Sequence, residues 1–421
     1  MASFVNHGYP PRTAGREDKD VSTDKTLASR IEAVVTLFDQ EFGTAGRRLL
    51  QVVSPGRTEI AGNHTDHEGG HVIAAALDAS FVGVAATNGT NEVHLVSVGF
   101  DPITVSLEAL DPRADERVTT AGLVRGMASL MAGTGRTPAG FDLVLQSNVP
   151  SGGGLSSSAA LELALGRAME ALWEGPAVSA ASMARMGQLA EQKWFGKPCG
   201  LMDQMAVAQG AVCFMDFFDE GNPKIQRIDF DFAQAGYAIC LTDVGCDHSV
   251  FTDEYAAVPA EMHAVAAELG VDRLAEVPQE SFEAAVATLR KSLGDRAVTR
   301  GIHYYLEEQL VDQRRDALVA GEVDGFLELT RRSGASSAMY LQNVGTGGSY
   351  QPAMVALGLA ELVLDGRGAV RIHGGGFGGT IQAFVPLAAT DEYCARMDGW
   401  FGTGSTHVYN VAEKGAYAQW M

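Results

Sequence analysis

The feature that most constrains the fold is the stretch from Val149 to Ala160, which reads Val-Pro-Ser-Gly-Gly-Gly-Leu-Ser-Ser-Ser-Ala-Ala. Before it, residues 141–146 alternate apolar and polar side chains with the period of a β-strand. After it, residues 161–172 have the composition and the apolar spacing of a helix. The stretch therefore predicts a strand, a glycine loop and the start of a helix.

The loop suits the binding of a phosphate group. The three glycines at 152–154 allow backbone conformations that a side chain forbids, so the chain can approach a bulky anion closely. The three serines at 156–158 stand where a helix has unpaired N–H groups and the positive end of its dipole. A capped helix after an ordinary turn explains the same residues, and the loop alone does not separate the two interpretations.

Length and element order indicate the fold class. A chain of 421 residues is too long for one ordinary core, so two domains are expected. Strand-like and helix-like segments are clustered rather than strictly alternating, which favours an α+β chain in two parts. The expected segments that matter below are strands at 49–53, 72–77 and 81–86 and helices at 155–172 and 179–195.

Charge and cysteine usage restrict partners and location. The chain has 31 Lys and Arg against 52 Asp and Glu, a net charge of −21 that repels nucleic acid and anionic membranes. Its five cysteines are scattered, with no Cys-x-x-Cys pair, as in a cytoplasmic protein with reduced thiols. No apolar run approaches the ~18 residues of a membrane span, and residues 1–25 are polar, without a secretory signal.

The densest polar cluster runs from Ser54 to His71 and follows the expected strand at 49–53, so its side chains are expected in a loop at the strand end. They are Arg57, Glu59, Asn63, His64, Asp66 and His67. One interpretation is a metal site built from His64, His67 and His71. Another is a surface loop, and a third is polyol recognition, in which Asp66 and His64 bind hydroxyls while Arg57 faces a phosphoryl group.

Two further clusters carry candidate chemistry. The loop from His373 to Thr380 matches Gly-x-Gly-x-x-Gly, but a strand follows it where a dinucleotide-binding fold requires a helix. The segment from Glu191 to Gln204 places carboxylates at Glu191 and Asp203. Each could be a solvated side chain, yet carboxylates beside a phosphate loop are also what Mg²⁺ and a hydroxyl nucleophile require.

Taken together, these clusters resemble the motifs of the galactokinases, which belong to the GHMP superfamily of small-molecule kinases. The segment from Ser54 resembles the galactokinase Gly-Arg-x-x-x-x-Gly-Glu-His-Thr-Asp-Tyr motif, and Val149–Ala160 resembles the superfamily's glycine-serine loop. Cys199–Gln204 resembles a motif of the sugar kinases, and His373–Thr380 resembles the superfamily's last glycine loop. The matches span residues 54 to 380 in the family's order.

The resemblance implies a fold. It predicts a ribosomal S5-like α+β domain over 1–205 and a ferredoxin-like α+β domain over 206–404, with the active site in the cleft between them. It also allows the last strand, about residues 405–421, to return to the first domain.

The resemblance also implies the site residues. It places the catalytic pair on Arg57 and Asp203. The predicted substrate-binding residues are Asn63, His64, Asp66, Gly200 and Tyr255. The predicted ATP-binding residues are Gly152, Gly153, Gly154, Leu155, Ser156, Ser157 and Ser158. The predicted Mg²⁺ ligands are Glu191 and a loop serine, Ser158 or Ser157.

The implied function is phosphorylation of the anomeric (C1) hydroxyl of galactose by ATP, with Mg²⁺ bridging the phosphates. Asp203 would orient or deprotonate the hydroxyl. Arg57 would depress the pKa of Asp203 and stabilise charge on the transferred phosphoryl group. The expected partners are a small sugar and ATP, and a monomer is expected, although an oligomer is not ruled out.

Departures from the family motifs leave the substrate open. Asn63 replaces the family's Glu, Glu59 replaces its Asn and His67 its Tyr, while His373 and Thr380 also differ. Loss of a negative charge near the sugar's C6 would relieve repulsion of a C6 carboxylate, so a galacturonate kinase is an alternative. A non-catalytic sugar sensor on the same fold is another, although the loop, Arg57, Glu191 and Asp203 are all intact.

Overall fold

The computed structural model describes residues 26–150, 154–246, 251–345, 348–377 and 379–421, without the side chain of Thr252. The strands are β1 Leu50–Ala61, β2 His71–Thr87, β3 Glu92–Ser97, β4 Ile103–Ser106, β5 Phe141–Ser147, β6 Val212–Asp216, β7 Lys224–Ile228, β8 Tyr237–Asp243, β9 Ala369–Ile372, β10 Thr380–Pro386, β11 Thr406–Tyr409 and β12 Tyr417–Trp420. The helices are α1 Leu27–Phe42, α2 Thr120–Ala132, α3 Ser157–Leu172, α4 Ala180–Ala190, α5 Met202–Gln209, α6 Thr252–Glu268, α7 Gln279–Ser292, α8 Asp295–Ala320, α9 Val323–Ser336, α10 Pro352–Leu364 and α11 Thr390–Phe401.

These strands form two sheets. The larger has the order β12-β1-β2-β5-β3-β4, and β6 pairs with β2 while β7 pairs with β6. All its pairs are antiparallel except β3 with β5, which follows the long connection through α2. The smaller sheet is antiparallel, with the order β11-β8-β10-β9. This arrangement confirms the predicted α+β class.

Apolar side chains on both faces of the larger sheet fix its helices. On one face, Leu163 and Met169 of α3 lie in a core shared with α2, α4 and α5. On the other face, Val34 and Phe38 of α1 pack against β2 and β5. A separate core, which includes Phe384 of β10, joins the two sheets through β1, β2, α8 and α9. The end of β1 therefore lies where the two sheets meet.

Strand pairing bears on the expected domain boundary. β12 pairs with β1, bringing Trp420 opposite Leu50, so the end of the chain lies in the larger sheet. β6 and β7 also belong to that sheet, although a boundary at 205/206 assigns them to the second part. The division into 1–205 and 206–404 stays a prediction. No helix within the described ranges is both long enough and apolar enough to cross a membrane.

The expected strands at 72–77 and 81–86 are one strand, β2. The polar residues between them suggest a turn, but the strand continues, and the exposed Asp78 is hydrogen-bonded to another strand-end segment of the chain. Its backbone N–H donates to Asn410 O at 3.0 Å, and its side chain accepts from the backbone and side-chain nitrogens of Asn410. Asn410, which is distant in sequence, thus pairs with the backbone and the side chain of Asp78 and supports an extended chain at this point.

The expectation that Arg57 and Glu59 lie in a loop is wrong, because β1 continues to Ala61. Arg57 pairs with Ala76 and Glu59 with Ala74 of β2, and bulges interrupt the register after Pro55 and after Glu59. Polar side chains can occupy this buried strand because the smaller sheet supplies their partners. Arg371 of β9, for example, donates from Nη2 to Glu59 Oε1 at 2.8 Å.

The Glu59–Arg371 ion pair gives a stability prediction. Both side chains are almost fully buried, at 3% and 0% exposure. Neutralising Glu59 removes the hydrogen-bonded partner of Arg371 and leaves an excess of buried positive charge, which is strongly destabilising. We expect Glu59→Gln to lower the free energy of unfolding by about 3 kcal/mol in denaturant titrations. The exposed Glu413, paired with Arg227 on the surface, provides the control, and Glu413→Gln should change stability by under about 1 kcal/mol. Equal losses in both variants would refute the prediction.

Candidate active site

The two predicted catalytic side chains, 146 positions apart in the sequence, meet in the structure. Arg57 projects from β1, and Asp203 lies in the first turn of α5. The Nε and Nη2 atoms of Arg57 each lie 2.7 Å from Asp203 Oδ1. The Arg57 side chain is buried, while that of Asp203 is one-third exposed. A buried cation therefore holds a carboxylate that remains accessible.

The same arginine contacts the phosphate loop. Its backbone N–H donates to Leu155 O at 3.1 Å, and its Nη1 donates to Gly154 O. Gly56 allows this approach, because a Cβ at that position would lie 3.0 Å from Leu155 O. Gly154 has a φ of +75°, in the left-handed region that glycine adopts without strain.

Ser156 holds the other carboxylate oxygen of Asp203. Its Oγ donates to Asp203 Oδ2, and its backbone has a left-handed φ of +56°. Burial raises the pKa of Asp203, but Arg57 and the Ser156 hydrogen bond outweigh that effect, so the pKa lies below its usual value. Asp203 is therefore ionised at neutral pH.

The structure describes part of the predicted ATP-binding loop. Gly152 and Gly153 lie outside the described residues, whereas Gly154, Leu155 and Ser156 are described. Helix α3 begins at Ser157 and not at the expected residue 155, because the left-handed backbone of Ser156 precedes it. Ser157 and Ser158 form the first turn of the helix, where N–H groups lack intrahelical acceptors. The side chain of Leu155 is buried in the core.

The two predicted Mg²⁺ ligands also lie together. Ser158 Oγ is 3.0 Å from Glu191 Oε1, and Glu191 begins a π-helical turn that ends at Phe195. A hydroxyl and a carboxylate are hard oxygen ligands of the kind Mg²⁺ takes, and the ion usually keeps waters and substrate phosphates as its other ligands. The pair therefore fits a Mg²⁺ site that is completed by a bound nucleotide.

Two residues that the sequence interpretation did not single out support Glu191. Lys197 Nζ lies 3.1 Å from Glu191 Oε1. Partial burial works against the Lys197 charge, but Glu191 raises the pKa of this lysine above its usual value. Gln204 Nε2 donates to Glu191 Oε2 at 2.9 Å and to buried Glu162 at 3.0 Å. Both residues belong to the polar segment from Glu191 to Gln204, which is the sequence feature that could have indicated them.

On the sugar side, His64 is buried and has a left-handed φ of +62°. Its Nε2 donates to Gly375 O at 2.8 Å, because a carbonyl only accepts. Burial lowers the pKa of His64 to about 3, with a smaller contribution from the nearby charge of His67, so the His64 ring is neutral. Its Nδ1 is then an acceptor, and it has no partner among the described residues.

Two further predicted sugar contacts, Gly200 and Tyr255, lie close to Asp66 and His64. A Cβ on Gly200 would lie 2.7 Å from Asp66 Oδ2, so any larger residue there would press against that carboxylate. Burial raises the pKa of Asp66. The Tyr255 ring is 5.4 Å from the His64 ring and packs so closely on Gly375 that a Cβ there would collide with it. Part of the motif that leads to Tyr255, residues 247–250, lies outside the described residues.

Asn63 is fully buried, and partners within the chain fill its side-chain amide. Its Nδ2 donates to Glu59 Oε1 at 2.9 Å and to Gly374 O, while its Oδ1 accepts from Ser337 and Asn343. An amide has only these two donors and two acceptor positions. The predicted contact of Asn63 with substrate stays a prediction. The two neighbouring departures from the family motif, Asn63 and Glu59, are in direct contact with each other.

The three histidines that could have formed a metal site, His64, His67 and His71, do not come together in the structure. The His64 and His67 rings are 5.5 Å apart, whereas His71 lies 3.1 Å from Asp312. Across the ranges that the structure describes, no group of three or more His, Cys, Asp or Glu side chains could hold a metal ion.

Comparison with known families identifies two segments. The model of the GHMP kinases N terminal domain matches residues 122–211. The galactokinase galactose-binding signature matches residues 36–87. The first segment includes Gly154–Ser158 and Asp203, and the second includes Arg57, His64 and Asp66.

Similar proteins cover most of the chain. A galactokinase of Streptomyces coelicolor is 30% identical over 389 residues, 88% of this chain and 96% of the relative. A galactokinase of Mannheimia succiniciproducens is 30% identical over 365 residues, 85% and 90% of the two chains.

Solved structures share the fold. The crystal structure of Lactococcus lactis galactokinase complexed with galactose superposes with a TM-score of 0.79 at 24% identity, covering 93% of this chain and 100% of the other. A mevalonate kinase crystal structure superposes with a TM-score of 0.59 at 14% identity, covering 88% of this chain and 99% of the other.

Proposed function

This chain belongs to the galactokinase family of GHMP kinases, and we propose that it transfers the γ-phosphoryl group of ATP to the C1 hydroxyl of galactose. The products are galactose 1-phosphate and ADP. The observation that carries the proposal is the contact of Arg57 with both Asp203 and Gly154 O, which joins a carboxylate to a glycine-serine loop through one guanidinium. The predicted two-domain GHMP kinase fold agrees with the shared fold of these enzymes.

We infer that Asp203 orients the attacking hydroxyl. Its carboxylate is ionised, fixed by Arg57 on one oxygen and by Ser156 on the other, and remains accessible. A carboxylate has lone pairs left after accepting these bonds, so it can accept a hydrogen bond from the sugar. Because the pKa of Asp203 is depressed, it takes up the proton only as charge moves onto the phosphoryl group.

Arg57 has two parts in the proposed reaction. It keeps Asp203 ionised, and its guanidinium offers positive charge beside the loop proposed to hold the phosphates. Phosphoryl transfer depends mainly on positioning and on electrostatic stabilisation of the transferred group. The N–H groups at the start of α3 add donors for phosphate oxygens.

Ser158 and Glu191 would hold Mg²⁺ at the same end of α3. When bound, the ion would neutralise phosphate charge. Gln204 and Lys197 keep the Glu191 carboxylate in place.

We expect Glu191→Gln to raise the Mg²⁺ concentration for half-maximal rate by about tenfold or more, because an amide is a weaker ligand than a carboxylate. Isothermal titration of Mn²⁺ into the nucleotide complex should show the same loss without turnover. The exposed Glu413→Gln variant is the control. An unchanged metal requirement in Glu191→Gln would remove Glu191 from the metal site.

The sugar contacts in this proposal are the His64 Nδ1 acceptor, the Asp66 carboxylate beside Gly200, and Tyr255. His64 and Tyr255 both contact Gly375. Gly375 lies two residues after His373, whose ring faces Gly154, the residue that Arg57 contacts. The relatives in the comparisons are galactokinases, so the galacturonate kinase and the non-catalytic sensor are not favoured.

A panel of sugars tests the function. Galactose, its epimers and galacturonate are each incubated with ATP and Mg²⁺, and ADP release is followed by a coupled assay. We expect galactose-dependent ADP release that is absent in Asp203→Ala. ADP release without dependence on any sugar, or with galacturonate alone, would overturn the proposal.

The partners, the cellular location and the oligomeric state of the enzyme are part of the same proposal. A net charge of −21 supports small-molecule substrates rather than nucleic acid or an anionic membrane as partners. A cytoplasmic monomer is proposed, and light scattering of the purified chain tests the oligomeric state.

A further inference from the structure

His373 begins the second glycine loop, directly after β9, and is 5% exposed. Its Nε2 lies 2.9 Å from Thr58 Oγ1 on β1. Its Nδ1 faces the first glycine loop, because a Cβ built on Gly154 would lie 2.9 Å from that nitrogen. Within the part of the chain that the structure describes, Nδ1 has no hydrogen-bond partner. None of the roles proposed above uses this side chain.

Neighbouring hydrogen bonds assign the protonated nitrogen of the ring. Gln382 Nε2 lies 2.9 Å from the backbone oxygen of Glu59. Because a carbonyl oxygen only accepts, the atom of the Gln382 amide at this position is the nitrogen and not the oxygen. The second hydrogen of that nitrogen goes to Thr58 Oγ1 at 2.6 Å. The Thr58 hydroxyl has one hydrogen of its own, and His373 Nε2 is the only acceptor near it among the described residues, so Thr58 donates to Nε2. The ring then carries its proton on Nδ1, the nitrogen that faces Gly154.

The ring is also neutral. Burial lowers the pKa of His373 well below its usual value, and the positive charges of Arg57 and Arg371 act in the same direction. His373 thus presents one N–H donor and no charge. A buried donor without an acceptor is unfavourable, which points to an acceptor that arrives with a ligand.

We propose that the His373 Nδ1–H group donates a hydrogen bond to a phosphate oxygen of bound ATP beside Gly154. The inference rests on the proposed function in taking this loop as the nucleotide site. Arg57 donates to Gly154 O, so its positive charge lies near the same residue and would attract an anionic oxygen, while His373 would supply a directional neutral donor. A donor of this kind favours a correctly placed phosphate without adding charge.

Two substitutions separate the two ring nitrogens. An asparagine side chain carries its polar atoms about where the Nδ1 of histidine lies, and a glutamine side chain carries them about where Nε2 lies. His373→Asn therefore keeps a donor towards Gly154 and loses the Thr58 bond. His373→Gln keeps an acceptor for Thr58 and loses the donor towards Gly154.

Titration calorimetry with a non-hydrolysable ATP analogue, in the absence of sugar, tests the proposal on the full chain. We expect His373→Gln to weaken binding about tenfold or more, the value of one hydrogen bond to a charged group. We expect His373→Asn to stay within about threefold of the wild type. Wild-type affinity in His373→Gln, or equal losses in both variants, would overturn the proposal. Weakened binding of galactose alone would assign the donor to the sugar instead and also overturn it.

A second measurement needs no substitution. In wild-type protein labelled with ¹⁵N in the histidine rings, we expect His373 to show a protonated Nδ1 whose resonance shifts on addition of the ATP analogue. A proton on Nε2, or no shift with nucleotide, would contradict the proposal. The sugar panel is separate: a failure to phosphorylate any sugar, with the difference between the two variants retained, would overturn the proposed function and not the role of His373.

Discussion

Replacing Asp203 by asparagine is expected to reduce kcat at saturating galactose and ATP by about 10³-fold, within the range for loss of an acid–base group. Asparagine keeps the shape of the side chain but loses the charge that Arg57 and Ser156 hold in place. The neutral amide can neither orient the sugar hydroxyl through a charged hydrogen bond nor take up the hydroxyl proton. The dissociation constant of galactose should change by less than about tenfold, because the lost interaction acts mainly in the transition state.

Asp272→Asn provides the control for this prediction. Asp272 is exposed and lies outside the proposed site, so its kcat should equal that of the wild type. Pre-steady-state quenched flow should place the loss of Asp203→Asn in the chemical step. If that variant kept more than a tenth of wild-type kcat, Asp203 would not have the role proposed here.

Replacing Arg57 by glutamine is expected to have the second largest effect, a loss of about 10²- to 10³-fold in kcat/KM. The variant loses positive charge beside the phosphate loop and also the partner that lowers the pKa of Asp203. Since Arg57 and Asp203 act as a unit, the double variant should lose little more than the worse single variant. Additive losses would show that the two side chains work independently.

The pH profile of Arg57→Gln gives an independent test. In the wild type, Asp203 has a pKa below its usual value, so it stays ionised and kcat/KM persists as the pH falls towards that usual value. Without Arg57, burial raises the pKa of Asp203 with less opposition. The acidic limb of kcat/KM should therefore move to higher pH in the variant. A limb that stays in place would separate the pKa of Asp203 from Arg57.

The local parts of the site could be predicted from the sequence. Glycines before a serine-rich helix start indicate a phosphate loop, and the strand before them is β5. The meeting of Arg57 with Asp203 could not be read from spacing, because the two residues are far apart in the chain and lie on different elements. Only the family resemblance placed them in one site.

Other features depend on contacts that no local pattern contains. β1 extends through Arg57 and Glu59 because residues of the smaller sheet, among them Arg371 and Gln382, satisfy its polar groups. The periodicity that predicts a helix over 179–195 does not distinguish α4 from the π-helical turn that starts at Glu191. The proton position on the His373 ring follows from a chain of hydrogen bonds across both sheets.

The most direct test of the central claim is the identity of the product. Phosphorus NMR of a reaction containing the purified chain, galactose, ATP and Mg²⁺ follows both phosphate-bearing products at once. We expect galactose 1-phosphate and ADP in equal amounts, and neither product with Asp203→Asn over the same time. A phosphate on any other hydroxyl, or inorganic phosphate with no sugar phosphate, would contradict it.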